Sequence, residues 1–381
     1  MPAKSSLNLS GNRFAVAYRL SDSLEAAWAR AQDICFEQTV EFPEELLPAG
    51  EIRDHLVGRV EALEELEPGQ VEVVVSYAVE IVGADLTQLL NVVFGNISLK
   101  PGVRLERLEL PESLLQRYRG PRFGREGLRD WLGASGRPLL ATALKPVGLT
   151  SHELAEQAYQ FALGGIDIIK DDHGLTDQPF APFRERVERC AEAVRRANRE
   201  TGGRSIYVAN VTAPGEEALE RALLAKAAGA GGLLVCPGLT GFDTMRRLAE
   251  DDRIALPVMS HPAFLGSWVT SPTSGISHHA LFGQIMRLAG ADAVIYPNWG
   301  GRFSFSRDEC RQIAEGCEAP MGHLKPAFPT PAGGMTPERI PEMSVFYGQD
   351  AIFLIGGGLH RDGPDLAQNS RRLVDLLLQY R

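Results

Sequence analysis

The sequence predicts an α/β protein, a C-terminal (β/α)8 TIM barrel preceded by a smaller ferredoxin-like α+β domain. Three observations carry this reading. From Arg137 onward, eight short apolar runs alternate with amphipathic helical stretches over about 245 residues, the span of one closed barrel. Before them, residues 13–110 give the order β-α-β-β-α-β. The later apolar runs also end in polar residues, at the strand exits where barrels place their chemistry. The expected division is an N-terminal domain over 1–125 and a catalytic barrel over 126–381.

The elements follow in order. Phe14, Val16, Tyr18 and Leu20 alternate, as in a half-buried strand. Ser23 is placed to cap a helix running to about Phe36. Strands near Val57–Leu63 and Val71–Ile81 flank a turn at Pro68-Gly69. A helix near Asp85–Val93 and a strand near Val103–Leu110 finish the small domain. The segment Glu112–Gly133 is richer in charge and glycine and reads as a connector. The barrel strands are expected at Leu139–Lys145, Ile166–Asp172, Ser205–Val211, Gly232–Cys236, Ala255–His261, Ala293–Tyr296, His323–Phe328 and Ala351–Ile355. Spaced apolar residues between them, such as Val187, Ala191 and Val194, mark helices. An open doubly wound sheet is the alternative, but eight units favour closure.

Bulk properties bound the function. The chain has 381 residues, 44% hydrophobic and 23% charged, enough for a large core and two domains. A net charge of −10 makes nucleic acid a poor partner. Five cysteines, with no Cys-x-x-Cys spacing, suggest neither a disulfide framework nor a zinc site, and fit a reducing cytoplasm. Met1 to Asn12 has no apolar core, so no signal peptide is expected. No apolar run has the ~20 residues of a membrane helix.

The chemistry centres on Gly164-Gly165-Ile166-Asp167-Ile168-Ile169-Lys170-Asp171-Asp172-His173-Gly174. A buried strand here ends in charges, which are costly unless paired or bound to metal. Alternation puts Lys170 and Asp172 on one face and Asp171 on the other. The plain alternative is a buried Lys–Asp ion pair capping the strand. The stretch resembles the metal-binding segment Gly-Gly-Leu-Asp-x-x-Lys-Asp-Asp-Glu of the ribulose-bisphosphate carboxylase (RuBisCO) superfamily. The resemblance implies a carbamate formed by CO2 on Lys170, and Mg2+ held by Lys170, Asp172 and the next residue. That residue is His173 instead of glutamate. Imidazole suits Fe, Cu, Ni or Zn better than magnesium, so another divalent metal, or a proton-transfer role for His173, stays open.

Leu144-Lys145-Pro146-Val147-Gly148-Leu149 resembles the family segment Ile-Lys-Pro-Lys-Leu-Gly-Leu. The resemblance makes Lys145 the proton-abstracting base. A lysine does this near neutral pH only if burial or a neighbouring cation lowers its pKa. The family's second lysine is Val147 here. Ala332-Gly333-Gly334 and Gly356-Gly357-Gly358 follow the last two strands, where backbone N–H groups often cradle phosphate. Gly333, Gly334, Gly356 and Gly357 are the candidates, against a plain tight-turn reading. In Ser260-His261-Pro262-Ala263 the family has His-Arg-Ala. His261 is a catalytic candidate, and Pro262 stands where a second phosphate would be gripped. Ile295 and Ala332 replace the other two grips, so the resemblance implies a substrate with one phosphate.

In the loop after the sixth strand, Arg302 matches the family's carbon dioxide-steadying lysine. Its fork suits a phosphate or carboxylate; otherwise it is a surface arginine. In the small domain, Cys35-Phe36-Glu37-Gln38-Thr39-Val40-Glu41 resembles the segment that reaches a partner subunit's site, with Glu37 as its glutamate. Leu90-Asn91-Val92-Val93-Phe94-Gly95-Asn96 resembles Gly-Asn-Val-Phe-Gly. Asn91 is a further candidate, although the family asparagine falls on Val92. The resemblance spans both domains and implies a homodimer with its site at the subunit interface.

The missing lysines and phosphate arginine argue against carboxylation and for a RuBisCO-like protein that keeps the enolising machinery. The expected activity is metal-dependent proton abstraction next to a carbonyl in a phosphorylated ketose. Isomerisation or enolisation of a methylthioribulose-phosphate-type substrate is the first reading. Decarboxylation of a branched oxo-sugar-acid phosphate (oxo-isoapionate phosphate type) passes through the same kind of enediolate and is the second. A non-catalytic barrel that binds a sugar phosphate is the third.

Overall fold

The computed structural model describes residues 7–361 and 363–380. The first six residues of the stretch read above as lacking an apolar core lie outside it. The chain forms two compact units. One contains residues up to Tyr118 together with Leu265–Ile285 and Pro320–Leu324; the other contains Arg119–Phe264, Met286–Ala319 and Lys325 onward.

The first unit is a five-stranded sheet. Its strands are β1 (Arg13–Leu20), β2 (Arg59–Glu67), β3 (Gln70–Ala78), β4 (Val103–Glu109) and the two-residue β10 (Gly275–Ile276), in the order β10-β4-β1-β3-β2. The first four run antiparallel in ferredoxin-like order, and β10 adds parallel to β4. Alternation in β1 buries Phe14, Val16, Tyr18 and Leu20. The expected helices lie at Leu24–Glu37, capped by the Ser23 side chain, and at Leu86–Phe94, capped by Asp85.

The second unit is the parallel barrel. Its strands are β5 (Leu139–Leu144), β6 (Ile168–Asp171), β7 (Ile206–Asn210), β8 (Gly232–Val235), β9 (Val258–Ser260), β11 (Ala293–Pro297), β12 (Phe328–Ala332) and β13 (Ile352–Leu354). Their order is β12-β11-β9-β8-β7-β6-β5-β13. Strands buried on both faces read as continuous apolar runs, as in Leu139–Leu144. Helices such as Phe183–Thr201, which buries Val187, Ala191 and Val194, pack between them.

The seventh strand was expected at His323–Phe328, and it lies about one strand length later. Phe328-Pro329-Thr330-Pro331-Ala332 carries two prolines, a pattern that argues against a central strand. The hydrogen bonds explain the tolerance. The Phe328 N–H donates to Asp292, and the Ala332 carbonyl accepts from Asn298, both on the β11 side. Alternation turns Pro329 and Pro331 towards β13, where neither has an N–H to give. β12 and β13 lie side by side with no ladder between them among the described residues. The barrel is therefore nearly closed, with its seam where the prolines remove donors. His323 lies in the other unit, with a ring nitrogen 3.0 Å from the Tyr118 carbonyl.

The expected connector is also structured. Gly124–Leu132 is a helix whose charged face hides Leu128 and Leu132 in the sequence. Those leucines join Ile168, Ile206, Ala293 and Phe328 in the barrel core. Asp292 fixes this helix. Its Oδ1 accepts the Phe123 and Gly124 N–H groups at 2.8 and 2.7 Å, and its Oδ2 accepts that of Val258 at 2.9 Å. Burial outweighs these donors and raises the Asp292 carboxyl to about 6. Its charge therefore costs folding stability above pH 6, and the cost is relieved as pH falls from 6 towards 4. Asp292→Asn turns an amide donor against one backbone N–H and is expected to destabilise. Because the variant does not titrate, the stability gap from wild type should widen by up to about 1.4 kcal/mol per pH unit on acidification through that window. Urea unfolding at pH 7 and pH 5 measures it, and a gap that narrows would refute this electrostatic account.

No described helix is long and apolar enough to cross a membrane. All five cysteines are free and buried.

Candidate active site

The site is built by two neighbouring strands. β5 and β6 run parallel with Ala143 opposite Lys170, so their next inward positions are Lys145 and Asp172. Ala141 and Ile168 mark the same inward face within the core. Lys145 Nζ donates to Asp172 Oδ1 at 2.6 Å. Lys170 is buried beside them, with Nζ on the Asp171 carbonyl at 2.9 Å.

Burial governs the charges. It lowers Lys170 to about 8, although Asp172 pulls the other way. Burial disfavours ionisation of Asp172, but hydrogen bonds from His173 and Lys145, with the Lys170 charge, hold it well below the usual carboxylate range. His173 Nδ1 stands 3.5 Å from Asp172 Oδ1. Its ring stacks on that of His261, with centroids 4.2 Å apart and planes 13° from parallel. His261 accepts the Ala263 N–H through Nδ1 at 3.2 Å. Burial and the nearby Lys170 push the His261 pKa well below the ordinary histidine value, which favours the neutral imidazole. Lys145, Lys170, Asp172, His173 and His261 thus form one cluster.

Gly356 belongs to the same neighbourhood, since a Cβ built on it would stand 3.6 Å from Lys145 Cε. Gly357 is open, with nothing within 4 Å of such a Cβ. Gly333 and Gly334 have φ of 85° and 96°, values that favour glycine. The Gly333 carbonyl accepts the Arg302 N–H at 2.8 Å. A Cβ on Gly334 would meet Arg302 Cγ at 2.8 Å. Arg302 therefore lies along the seventh-strand glycine turn, with its guanidinium 5.6 Å from the Phe303 ring centroid.

Glu37 and Asn91 belong to the small unit. Glu37 accepts the Asn96 amide at 2.9 Å. Asn91 is exposed, its amide 3.4 Å from Gln88 Oε1. Glu37 thus pairs with Asn96, at the end of the segment that carries Asn91.

Two residues support the cluster from outside it. Asp171 faces away from the cluster, as alternation required. It accepts the Tyr207 hydroxyl at 2.8 Å, the Asn210 N–H at 3.0 Å and Arg186 Nε at 3.3 Å. Asn210 then donates its amide to the carbonyls of His173 and Leu175 at 3.0 and 2.9 Å. The polar exit of β7 therefore shapes the loop that carries His173.

Among the described residues no three His, Cys, Asp or Glu side chains gather as metal ligands; with a carbamate on Lys170, the set Lys170, Asp172 and His173 could hold a divalent cation. Lys170 has an amine whose charge burial disfavours, the form that reacts with CO2. Asp172 supplies a carboxylate held ionised, and His173 a nitrogen beside it.

A nearly closed parallel barrel, with two lysines, an aspartate and glycine turns at its strand exits, defines an α/β-barrel protein with a candidate active site at those exits. The model of the ribulose bisphosphate carboxylase large chain catalytic domain matches residues 124–372, and the chain belongs to that family. It is 40% identical over 349 residues to 5-methylthioribulose-1-phosphate isomerase of Rhodospirillum rubrum, covering 91% of each chain. It is 37% identical over 362 residues to ribulose bisphosphate carboxylase-like protein 1 of Rhodopseudomonas palustris, covering 95% of this chain and 96% of that one. The crystal structure of a Rubisco-like protein from Rhodopseudomonas palustris superposes with a TM-score of 0.88 at 38% identity, over 97% of this chain and 98% of that one. A 2,3-diketo-5-methylthiopentyl-1-phosphate enolase of Bacillus velezensis is 33% identical, with 95% and 92% of the two chains covered.

Proposed function

We propose that this protein abstracts and returns a proton next to a carbonyl in a phosphorylated ketose, without fixing CO2. Isomerisation or enolisation of a methylthioribulose-phosphate-type substrate is the preferred reaction. The observation that carries it is the 2.6 Å contact of Lys145 with Asp172 beside buried Lys170. The names of the isomerase and enolase relatives support the substrate class.

Carbamylated Lys170, Asp172 and His173 would hold the divalent cation, Mg2+ or another. Held there, it would supply Lewis-acid polarisation of the substrate's carbonyl. Lys145 takes the proton from the carbon beside the carbonyl and returns it to the neighbouring carbon. A single base on one face can serve both transfers. The glycine turns after β12 and β13 orient the phosphate through backbone N–H groups, with Arg302 beside the first. Val147, Pro262, Ile295 and Ala332 stand where the carboxylases have a second lysine and their second-phosphate grips.

Dialysis against a chelator in CO2-free buffer is expected to abolish turnover of 5-methylthioribulose 1-phosphate. Mg2+ with bicarbonate should restore it, and 13C-bicarbonate should give a carbamate signal that Lys170→Met lacks. Turnover that survives chelation would rule out the metal. Metal analysis of protein purified without chelator tests the role of His173, since bound Ni, Fe or Zn would mark a softer site.

The forked guanidinium of Arg302 favours one second reading, decarboxylation of a branched oxo-sugar-acid phosphate. CO2 release from that substrate, with no proton exchange in the methylthio sugar, would select it. Binding without either reaction would select a non-catalytic barrel. The homodimer is proposed from family likeness; a monomer mass by light scattering would remove it.

A further inference from the structure

The loop after β11 is fastened at its foot by groups the chemistry above does not use. Asn298 is fully buried. Its backbone N–H donates to Ala332 at 2.9 Å, and its amide lies 3.2 Å from Met335 Sδ. Its Oδ1 accepts the Tyr347 hydroxyl at 2.6 Å, across 49 residues of sequence. A buried amide bonded through both its nitrogen and its oxygen rigidifies what it joins.

The next residue is fastened to the same helix, Ile340–Tyr347. Trp299 Nε1 donates to Glu342 at 3.1 Å, and its carbonyl accepts Arg339 at 2.7 Å. The guanidinium groups of Arg307 and Arg339 lie 5.6 and 5.5 Å from the indole centroid, within cation–π range. Gly300 has a φ of 66°, and a Cβ there would stand 2.3 Å from Arg339 Nη1. Two residues further on, the Arg302 N–H meets the Gly333 carbonyl. The chain between Asn298 and Arg302 is thus held at both ends.

We propose that Tyr347 and Asn298 form a latch that positions Arg302 along the Gly333–Gly334 turn. Tyr347 and Asn298 are positioning residues: they act through Arg302. The inference rests on the reading that Arg302 and this turn grip the anionic group of the substrate.

The test uses inorganic phosphate as the probe, with affinity measured by titration calorimetry on the full chain. Arg302→Ala should weaken phosphate binding about tenfold. Tyr347→Phe, which keeps the ring and deletes the hydroxyl, should weaken it about fivefold. The double variant should match Arg302→Ala alone, because the latch has nothing left to position. In turnover, Tyr347→Phe should raise KM and leave kcat within about twofold, the mark of lost uniform binding.

Full affinity in Tyr347→Phe, with weak binding in Arg302→Ala, overturns the latch and leaves the grip standing. So does a double variant whose losses multiply. Unchanged binding in Arg302→Ala overturns the grip, and the latch with it. Should Tyr347→Phe not fold, Glu342→Ala decides. Its side chain is 48% exposed, and losing its bond to Trp299 should weaken phosphate binding at least twofold in wild type but not in Arg302→Ala.

Discussion

Replacing Lys145 with alanine is expected to lower exchange of the substrate α-proton with solvent by about 10²–10⁴-fold, the usual worth of a positioned general base. The fold should survive. The Lys145 side chain is 36% exposed, and Asp172 keeps His173 and the buried Lys170 beside it when Lys145 is removed. Lost exchange with an unchanged unfolding transition would place the effect in the chemistry. Arginine at this position should not rescue, since a guanidinium stays protonated. The measurement is deuterium incorporation into 5-methylthioribulose 1-phosphate, followed by NMR at saturating Mg2+ and bicarbonate. Wild-type exchange in Lys145→Ala would remove it as the base, and the proposed reaction would need another.

How much of this arrangement a sequence can show depends on the range of the forces involved. Lys170 and Asp172 were legible because strand alternation is local, and it put Asp171 on the opposite face where the structure has it. The alternation of β1 and the Ser23 cap were legible for the same reason. The helix Gly124–Leu132 was not, because Arg125, Arg129 and Asp130 masked its two buried leucines. The seventh strand was misplaced because proline costs a ladder donor, and nothing in the local sequence says that the barrel seam runs there. The pairing of Glu37 with Asn96 and of Asn298 with Tyr347 joins residues 59 and 49 apart. Such pairs are set by tertiary packing, and no local pattern announces them. The strand-exit residues stood out one at a time; only the register of β5 against β6 shows that Lys145 and Asp172 meet.

Asp171→Ala is expected to have the largest effect on stability. Asp171 and the Arg186 side chain are fully buried. Burial alone would pull the Arg186 guanidinium down, but Asp171 and Tyr207 more than offset it and raise its pKa. Two of its other nitrogens are already committed to the carbonyls of Ala181 and Thr176, each at 2.7 Å, so it cannot turn to water. Deleting the carboxylate leaves a buried cation, the Tyr207 hydroxyl and the Asn210 N–H without their acceptor. Breaking a buried pair from one side costs about 3–5 kcal/mol, and the denaturant midpoint should fall accordingly with an unchanged slope. Asp171→Asn keeps one acceptor and should cost less. The consequence reaches the reaction through Asn210, whose backbone meets Asp171 and whose amide holds the His173 and Leu175 carbonyls. Even where Asp171→Ala remains folded, the His173 loop should lose its anchor and metal affinity should weaken, though residue 171 is no ligand. A cost below about 0.5 kcal/mol, within the range of ordinary surface changes, would mean that the guanidinium finds water. Asp171 would then be incidental to the cluster on the other face of its strand.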